Sequence, residues 1–263
     1  MLFKIVDSMH KFDQKSATKL FQGPKLPNLA LQAEFFQGPY AQIDFLAGLN
    51  KALDQSLPDL ETDTATTTIA KIFEEKNLAL PDNPTLPRLL DKLSTIYLEP
   101  QCVRPTWIMN QPECLSPLSK SFTSWSSGIP QRVAARGELF IHGFEVVNCY
   151  EEENSPFEQR NKFQMQQKYA QPGQETLDLD ENYLAALEWG LPPTAGWGCG
   201  IDRLLMLLLG KQRIQDVLPF GSLRSVTRPA DEREMVEVDE VPFSRVSLAQ
   251  SPDEISTEGA PSE

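Results

Sequence analysis

Cysteine and histidine are scarce in this sequence, which argues against a metal site built from them. The 263 residues include 4 cysteines and 2 histidines. The cysteines, at positions 102, 114, 149 and 199, form no CxxC pair, and that pair is a usual element of zinc and redox sites. We therefore expect buried free thiols and a reducing compartment.

Long apolar runs and an excess of positive charge are also missing. The longest apolar run is LLMLLL at 204–209, far shorter than the roughly 18 residues expected of a membrane span. The net charge is −13, whereas binding to nucleic-acid phosphates needs lysine and arginine. The composition therefore predicts neither a membrane protein nor a general nucleic-acid binder.

Composition and pattern divide the chain into three parts. Residues 1–40 hold a helix-prone amphipathic segment followed by a linker rich in Gly, Pro and Gln. Residues 227–263 contain ten acidic and three basic residues and few large apolar ones, a composition typical of disorder. Between them, residues 41–226 mix helical and strand patterns, so we predict an α+β domain there.

Sequence patterns within this central part predict its elements. Helical spacing and helix start and stop residues predict helices over 41–53, 63–77, 82–98, 156–170, 180–190 and 201–210. Runs of β-branched and aromatic residues predict strands over 103–109, 138–141 and 145–151. The polar segment SFTSWSSGIPQ, 121–131, predicts a loop.

Two glutamates interrupt the strand pair in GELFIHGFEVVNCYEEEN, residues 137–154. A two-residue turn at 142–143 would set Phe140 opposite Glu145. Glu138 would then lie one diagonal step from Glu145 on the same face, with Cβ atoms ~7 Å apart. Because unpaired carboxylates there would repel each other, this spacing suits a shared divalent cation or a cationic ligand. The alternative is an exposed hairpin face on which both glutamates meet water.

Three further polar residues follow on the second strand of this pair. Asn148, Tyr150 and Glu152 alternate and share one face, but their parity is opposite to that of Glu145. All of them can meet one ligand only if a β-bulge lies between residues 145 and 148. The sequence therefore predicts a bulge if this is a site.

A glycine-rich segment, TAGWGCGIDRLLMLLLG, occupies residues 194–210. Its glycines stand at alternate positions, Gly196, Gly198 and Gly200. It matches neither GxGxxG nor a Walker loop, but alternate glycines in a strand leave a groove for a flat ligand. Arg203 falls in the first turn of the following helix, where a cation opposes the helix dipole. A bound phosphate would relieve that conflict, and Asp202 is the alternative partner.

Five segments carry a family resemblance, in the same order over residues 40–226. They are PTLPRLLDKLSTIYLEPQC, PECLSPLSKSF, GELFIHGFEVVNCYEEENSPFEQRNKF, ENYLAALEWGLPPTAGWGCGIDRLLMLL and RIQDVLPFGSLRSV. Together they resemble class II lysyl-tRNA synthetases of the fungal mitochondrial type. The resemblance implies the C-terminal part of the class II catalytic domain, an α+β fold with an antiparallel sheet flanked by helices, truncated at its N-terminus.

The resemblance also implies an activity, its ligands and a compartment. The family joins lysine to ATP, with Mg²⁺, to form lysyl-adenylate, and then transfers lysine to tRNA(Lys). A mitochondrial location follows from the fungal likeness. The first 20 residues contain lysines and aspartates but no arginine, unlike an ordinary transit peptide, so a cytoplasmic location is the alternative.

The carboxylates and polar residues of the strand pair match family positions with known roles. Glu138 and Glu145 match the carboxylates that hold Mg²⁺ on the ATP phosphates. Asn148 and Tyr150 match residues that line the lysine pocket, and Glu152 matches the carboxylate that receives the ε-ammonium of lysine. The resemblance therefore assigns a metal site and an amino-acid site to one strand pair.

The glycine-rich segment matches the third sequence signature of the class. Gly198 and Gly200 are implied to bind ATP, with Gly200 beside the adenine. Arg203 matches the catalytic arginine that grips the terminal phosphate. This role agrees with the phosphate expected from the position of Arg203 at the start of a helix.

Other family parts find no counterpart in this sequence. The family has an anticodon-binding domain, a dimerisation segment and an Arg-x-x-Glu element that holds the α-phosphate, all N-terminal to the matching region. No arginine precedes Arg88, and Phe144 replaces the usual basic residue before the second metal carboxylate. The family is homodimeric, but the segment that forms its dimer is among those not found.

Three functions therefore stay open on the sequence. The chain is a lysine–tRNA ligase, a truncated paralogue without aminoacylation activity, or an amino-acid-activating or accessory protein with a non-tRNA acceptor. Whether it acts as an enzyme depends on which of the three is correct.

Overall fold

The computed structural model describes residues 36–169 and 179–218 of the chain. The expected N-terminal helix, most of the expected linker and the acidic tail lie outside these ranges. None of the helices in the described ranges has the length and apolar character needed to cross a membrane.

Within the described residues, seven strands form two sheets. They are β1 (Ala41–Asp44), β2 (Thr106–Met109), β3 (Ser121–Ser124), β4 (Gln131–Ala134), β5 (Arg136–Ile141), β6 (Phe144–Glu151) and β7 (Ala195–Cys199). The main sheet has five strands in the order β1-β2-β5-β6-β7, while β3 and β4 form a separate hairpin. In the main sheet β1 and β2 are parallel, and each of the other neighbouring pairs is antiparallel.

Over residues 36–169 and 179–218, six α-helices accompany the strands. They are α1 (Phe45–Leu53), α2 (Ala65–Glu75), α3 (Leu86–Tyr97), α4 (Pro156–Lys168), α5 (Glu181–Glu188) and α6 (Ile201–Leu209). Side chains cap three helix starts, because Asp44, Ser155 and Asp180 each accept a backbone N–H of the first turn. Helix α6 is followed by Gly210, whose φ of 62° is the left-handed conformation that commonly ends a helix.

The two faces of the main sheet pack into different apolar clusters. Neighbouring residues on β5 alternate between them, with Phe140 in the cluster of α1, α2 and α3. Leu139 and Ile141 point the other way, against Leu204 and Leu207 of α6. Helices thus flank a mostly antiparallel sheet, which confirms the predicted α+β class.

Two predicted elements differ from the structure. Residues 41–53 were expected to be one helix, but 41–44 form β1 beside β2, and the helix starts only after Asp44 provides its cap. The expected loop at 121–131 contains β3 and leads into β4. Serines and threonines make this hairpin polar, so it lacks the apolar alternation from which strands are predicted.

The cysteines are free, as predicted, but only Cys102 is buried. Cys114, Cys149 and Cys199 are half-buried. Burial raises the pKa of the Cys102 thiol to about 11, so this group stays protonated near neutral pH.

Candidate functional site

The turn between β5 and β6 sets the geometry of the candidate site. His142 and Gly143 have φ values of 50° and 77°, as a two-residue hairpin turn of the primed type requires. Phe140 therefore stands opposite Glu145, as predicted.

A β-bulge then changes the parity of β6. Leu139 pairs with Val147 and Phe140 with Glu145, so Val146 is the extra residue. Because of the bulge, Glu145 and Asn148 lie on the same face of the sheet although they are three residues apart. The predicted bulge is confirmed, and it brings the two polar sets together.

Glu138 lies directly opposite Asn148, and its side chain is only 13% exposed. Arg136 and Gln111 both donate hydrogen bonds to its carboxylate. Burial raises the pKa of Glu138, the positive charge of Arg136 opposes that shift, and the nearby negative charge of Glu145 adds to it. The exposed hairpin face considered as an alternative is therefore wrong for Glu138.

Glu145 pairs with the arginine of the glycine-rich segment. The Nη1 atom of Arg203 lies 3.0 Å from the carboxylate of Glu145 and 2.9 Å from its backbone oxygen. Asp202, the partner considered from sequence, does not form this contact. The structure thus joins the β5–β6 hairpin to the first turn of α6 through one ion pair.

The three consecutive glutamates at the end of β6 have three different environments. Glu151 pairs with Lys120 at the surface, 2.9 Å away. Glu153 pairs with Lys162 at 2.7 Å, and both side chains are only 4% exposed. Among the described residues, none forms a hydrogen bond or ion pair with the carboxylate of Glu152. That half-buried carboxylate therefore offers a negative charge to a ligand.

Glu152 lies across the backbone of β7. A Cβ built on Gly196 would overlap its Oε1 atom, and Gly196 itself stands opposite Tyr150. Burial raises the pKa of Glu152. Burial also raises the pKa of Tyr150, and Glu152 raises it further, so the phenol remains neutral. A side chain at position 196 would therefore require the carboxylate to move from its present place.

Replacing that glycine tests the contact. We expect Gly196→Ala to displace the Glu152 carboxylate and to weaken binding of a cationic amino acid by about tenfold, the effect of a lost positioning contact. Calorimetric titration with lysine measures this. In the matched variant Gly198→Ala, the nearest atom to the new Cβ is the backbone oxygen of Asn148, at 4.0 Å. The lysine affinity of this variant should therefore clearly exceed that of Gly196→Ala. Equal affinities in the two variants would contradict the contact.

An open cavity of about 370 Å³ lies beside this face of the sheet. Among its lining residues are five of the predicted site, Glu145, Asn148, Gly198, Gly200 and Arg203. Glu138 adjoins it through its register with Asn148. Tyr150 lies further along β6, and Glu152 follows directly after the strand ends at Glu151. The predicted residues therefore share one continuous face formed by β5, β6, β7 and the start of α6.

Comparison with known families identifies this arrangement. The family model for class II tRNA synthetases (D, K and N) matches residues 1–224. The chain belongs to this family. The match includes the first 40 residues, which the sequence pattern separated as helix and linker, so the domain boundaries stay a prediction.

Individual relatives of this class II synthetase chain are lysine–tRNA ligases. The mitochondrial enzyme of Schizosaccharomyces pombe is 43% identical over 189 residues, which cover 70% of this chain and 35% of the relative. A probable cytoplasmic enzyme of Enterocytozoon bieneusi is 41% identical over 192 residues, covering 72% and 36%. The mitochondrial enzyme of Saccharomyces cerevisiae is 34% identical over 246 residues, covering 84% and 42%. The chain thus spans well under half the length of these relatives.

Class II synthetases use ATP as a substrate, generally with Mg²⁺, and the residues present fit such an ion. Mg²⁺ is commonly held by one or two carboxylates together with substrate phosphates. Glu138 and Glu145 are two such carboxylates, and their mutual repulsion would be relieved by a cation. In the described part of the chain, no cluster of three or more Asp, Glu, His or Cys side chains could hold a metal. Remaining ligands would therefore come from the nucleotide and water.

Three residues of this class II site were not predicted from sequence. Arg136 stands two positions before Glu138, so both side chains lie on the same face of β5. This alternation is visible in the sequence and could have indicated Arg136 as a site residue. Gln111 reaches Glu138 from the loop after β2, and no local pattern indicates that contact. Glu99, half-buried beside the hairpin turn, adds negative charge near Glu145 and raises the pKa of Glu138.

Proposed function

We propose that this chain forms the lysine- and phosphate-binding part of a lysine–tRNA ligase site, in which lysine is activated by ATP. One observation carries the proposal. The carboxylate of Glu152, which no residue in the described part of the chain pairs with, shares a sheet face with two carboxylates that are neutralised by arginines. An amine and a metal–nucleotide complex are the ligands that would complete such a face.

The amino-acid half of the proposed site lies along β6. Glu152 receives the ε-ammonium group of lysine as a charge-assisted hydrogen bond, which is stronger than a neutral one. Tyr150 provides an aromatic wall beside it, and Asn148 contributes an amide toward the reacting end of the substrate. Because the site offers a half-buried negative charge, it should discriminate against neutral side chains of the same length.

The nucleotide half is formed by β7 and α6. Gly198 and Gly200 leave the backbone accessible to the adenine and ribose, and Arg203 provides a forked donor for the terminal phosphate. In this proposal Arg203 moves its guanidinium from Glu145 to the phosphate, which leaves Glu145 free to hold Mg²⁺ with Glu138. Held by these two carboxylates, a bound ion would supply positive charge that offsets the charge of the phosphates.

The acceptor, assembly and compartment complete the proposal. We infer tRNA(Lys) as the acceptor, a homodimer as the working form and the mitochondrion as the compartment. Support comes from the mitochondrial relatives, although a cytoplasmic relative is similarly close. Residues 41–226 remain our proposed catalytic part. Subcellular fractionation and the mass of the purified complex test these points.

Lysine-dependent exchange of pyrophosphate into ATP tests the activity directly. Exchange followed by charging of tRNA(Lys) would support the ligase. Exchange without charging would indicate a different acceptor. Lysine binding without exchange would indicate a binding cleft that does not catalyse activation. A chain that binds neither lysine nor ATP with Mg²⁺ would contradict the proposal.

Lysine binding should also depend on pH. The pKa of Glu152 is raised by burial, and only the ionised carboxylate attracts an ammonium group. Affinity should therefore be constant well above that pKa and fall by about tenfold per pH unit below it. Calorimetry between pH 4.5 and 8 checks this, with Glu152→Gln as a variant that has no carboxylate to titrate. An affinity that stays constant across this range would contradict the role of Glu152.

A further inference from the structure

The guanidinium of Arg136 connects both halves of the proposed site. Its Nε atom donates to Oδ1 of Asn148 at 3.0 Å, and its Nη2 atom donates to the carboxylate of Glu138. Its Nη1 atom donates to the oxygen of Leu115 at 3.1 Å and to Oγ of Ser116 at 2.9 Å. All three nitrogens are therefore used, and the side chain is only 17% exposed.

This network determines which end of the Asn148 amide faces a ligand. Arg136 occupies the amide oxygen, because a guanidinium can only donate. No acceptor among the described residues takes a hydrogen bond from the amide nitrogen, and Asn148 lines the open cavity. The side chain therefore presents a donor to the cavity, which suits a carboxylate or carbonyl oxygen.

Sheet register explains why one residue can reach both partners. Arg136 precedes Glu138 by two positions, so both point to the same face of β5. Asn148 is directly opposite Glu138 on β6. The 3₁₀ turn at 113–115 supports the guanidinium from behind, since its last residue and Ser116 both accept from Nη1.

We propose that Arg136 is a positioning residue that holds the Glu138 carboxylate and the Asn148 amide in place, and so couples the metal and lysine subsites. The inference rests on the proposed function for its ligands. This positioning role differs from simple neutralisation of the buried Glu138 carboxylate, for which a single contact with any cation would be enough. A lysine side chain at position 136 would have a single donor nitrogen, so it could not hold both Glu138 and Asn148 in the forked geometry of a guanidinium.

Two variants separate positioning from charge compensation. Arg136→Lys keeps the charge, and Arg136→Met combined with Glu138→Gln removes both charges together. In each we expect lysine affinity to fall on the order of 10- to 100-fold, the usual loss when a supporting hydrogen bond is removed. The loss in the double variant should exceed that in Glu138→Gln alone. Arg88→Lys is the matched control, since Arg88 donates to the backbone oxygen of Asp82, away from the turn that supports Arg136.

Calorimetry with lysine and the urea midpoint of unfolding are measured for every variant. The expected result is a single cooperative unfolding transition for Arg136→Lys, which shows that the variant is folded, together with its loss of lysine affinity. Normal lysine affinity in Arg136→Lys would overturn the proposal, as would a double variant that binds lysine as well as Glu138→Gln alone.

A second measurement needs no ligand and separates this inference from the proposed function. With ¹⁵N-labelled arginine, the Nε–H resonance of Arg136 is identified by its absence in Arg136→Lys. We expect Asn148→Ala to shift this resonance and to speed its exchange with water, while that of Arg88 stays unchanged. An Arg136 resonance that does not respond would overturn the inference. A response without any lysine binding would leave the network intact but contradict the proposed function.

Discussion

Glu152→Gln should abolish lysine binding while leaving the binding of ATP with Mg²⁺ largely intact. The substitution removes the negative charge from a half-buried carboxylate that no described residue neutralises. Removing one partner of such a hydrogen-bonded charge pair costs about 3 kcal/mol or more, because the other charge is left unpaired, so the affinity should fall by roughly 100-fold or more. Separate calorimetric titrations with lysine and with magnesium–ATP measure the two effects.

Glu151→Gln is the matched control for this experiment. It makes the same chemical change one residue earlier, at a surface carboxylate that pairs with Lys120, and exposed ion pairs contribute little. Lysine affinity should therefore stay close to that of the unmodified chain. If Glu152→Gln loses lysine and ATP equally, or if Glu151→Gln loses as much as Glu152→Gln, the role assigned to Glu152 is wrong.

The largest loss of stability should come from Lys162→Met. This change leaves Glu153 buried without its partner, and breaking a buried ion pair costs about 3–5 kcal/mol. The pair ties α4 to the end of β6, because Lys162 also donates to the backbone oxygen of Ser119. Urea denaturation should show the loss in the free energy of unfolding, with a drop in Tm on the order of 10 °C.

A double-mutant cycle distinguishes the pair from a general packing effect. Adding Glu153→Gln to Lys162→Met removes the buried negative charge that has lost its partner. The double variant should therefore recover part of the lost free energy of unfolding. Lys120→Met breaks the exposed pair with Glu151 and should change stability by less than about 1 kcal/mol. If Lys162→Met is as stable as Lys120→Met, the buried pair does not stabilise the fold as proposed.

The hairpin was largely predictable because its determinants are local. His142 and Gly143 both tolerate a positive φ, which sets the turn and with it the register of Glu145. The opposite parity of Glu145 and Asn148 required a bulge, and Val146 provides it. Local sequence therefore determines which side chains share a face.

The partners of those side chains were not predictable, because no local sequence pattern specifies them. Arg203 reaches Glu145 across 58 positions, and Lys162 reaches Glu153 from a helix whose polar pattern does not indicate a buried face. Three adjacent glutamates look alike in the sequence. Only the packed structure separates the exposed one, the buried pair and the unpaired carboxylate.

The β3–β4 hairpin shows a second limit. Strand prediction depends on apolar alternation, and a two-stranded polar hairpin has little of it. Val133 in β4 is buried against the cluster of α1, α2 and α3, but β3 carries Ser121, Thr123 and Ser124, which resemble loop residues. The strand conformation of this segment is therefore determined by tertiary packing and not by its own sequence pattern.

The central claim is that an amine subsite and a nucleotide subsite share one cleft, and competition for a non-hydrolysable lysyl-adenylate analogue tests it most directly. A lysyl sulfamoyl-adenosine titrated into the full chain should bind with a stoichiometry of about one. Both lysine alone and ATP with Mg²⁺ alone should displace it. Displacement by only one of them, or by neither, would contradict the single cleft.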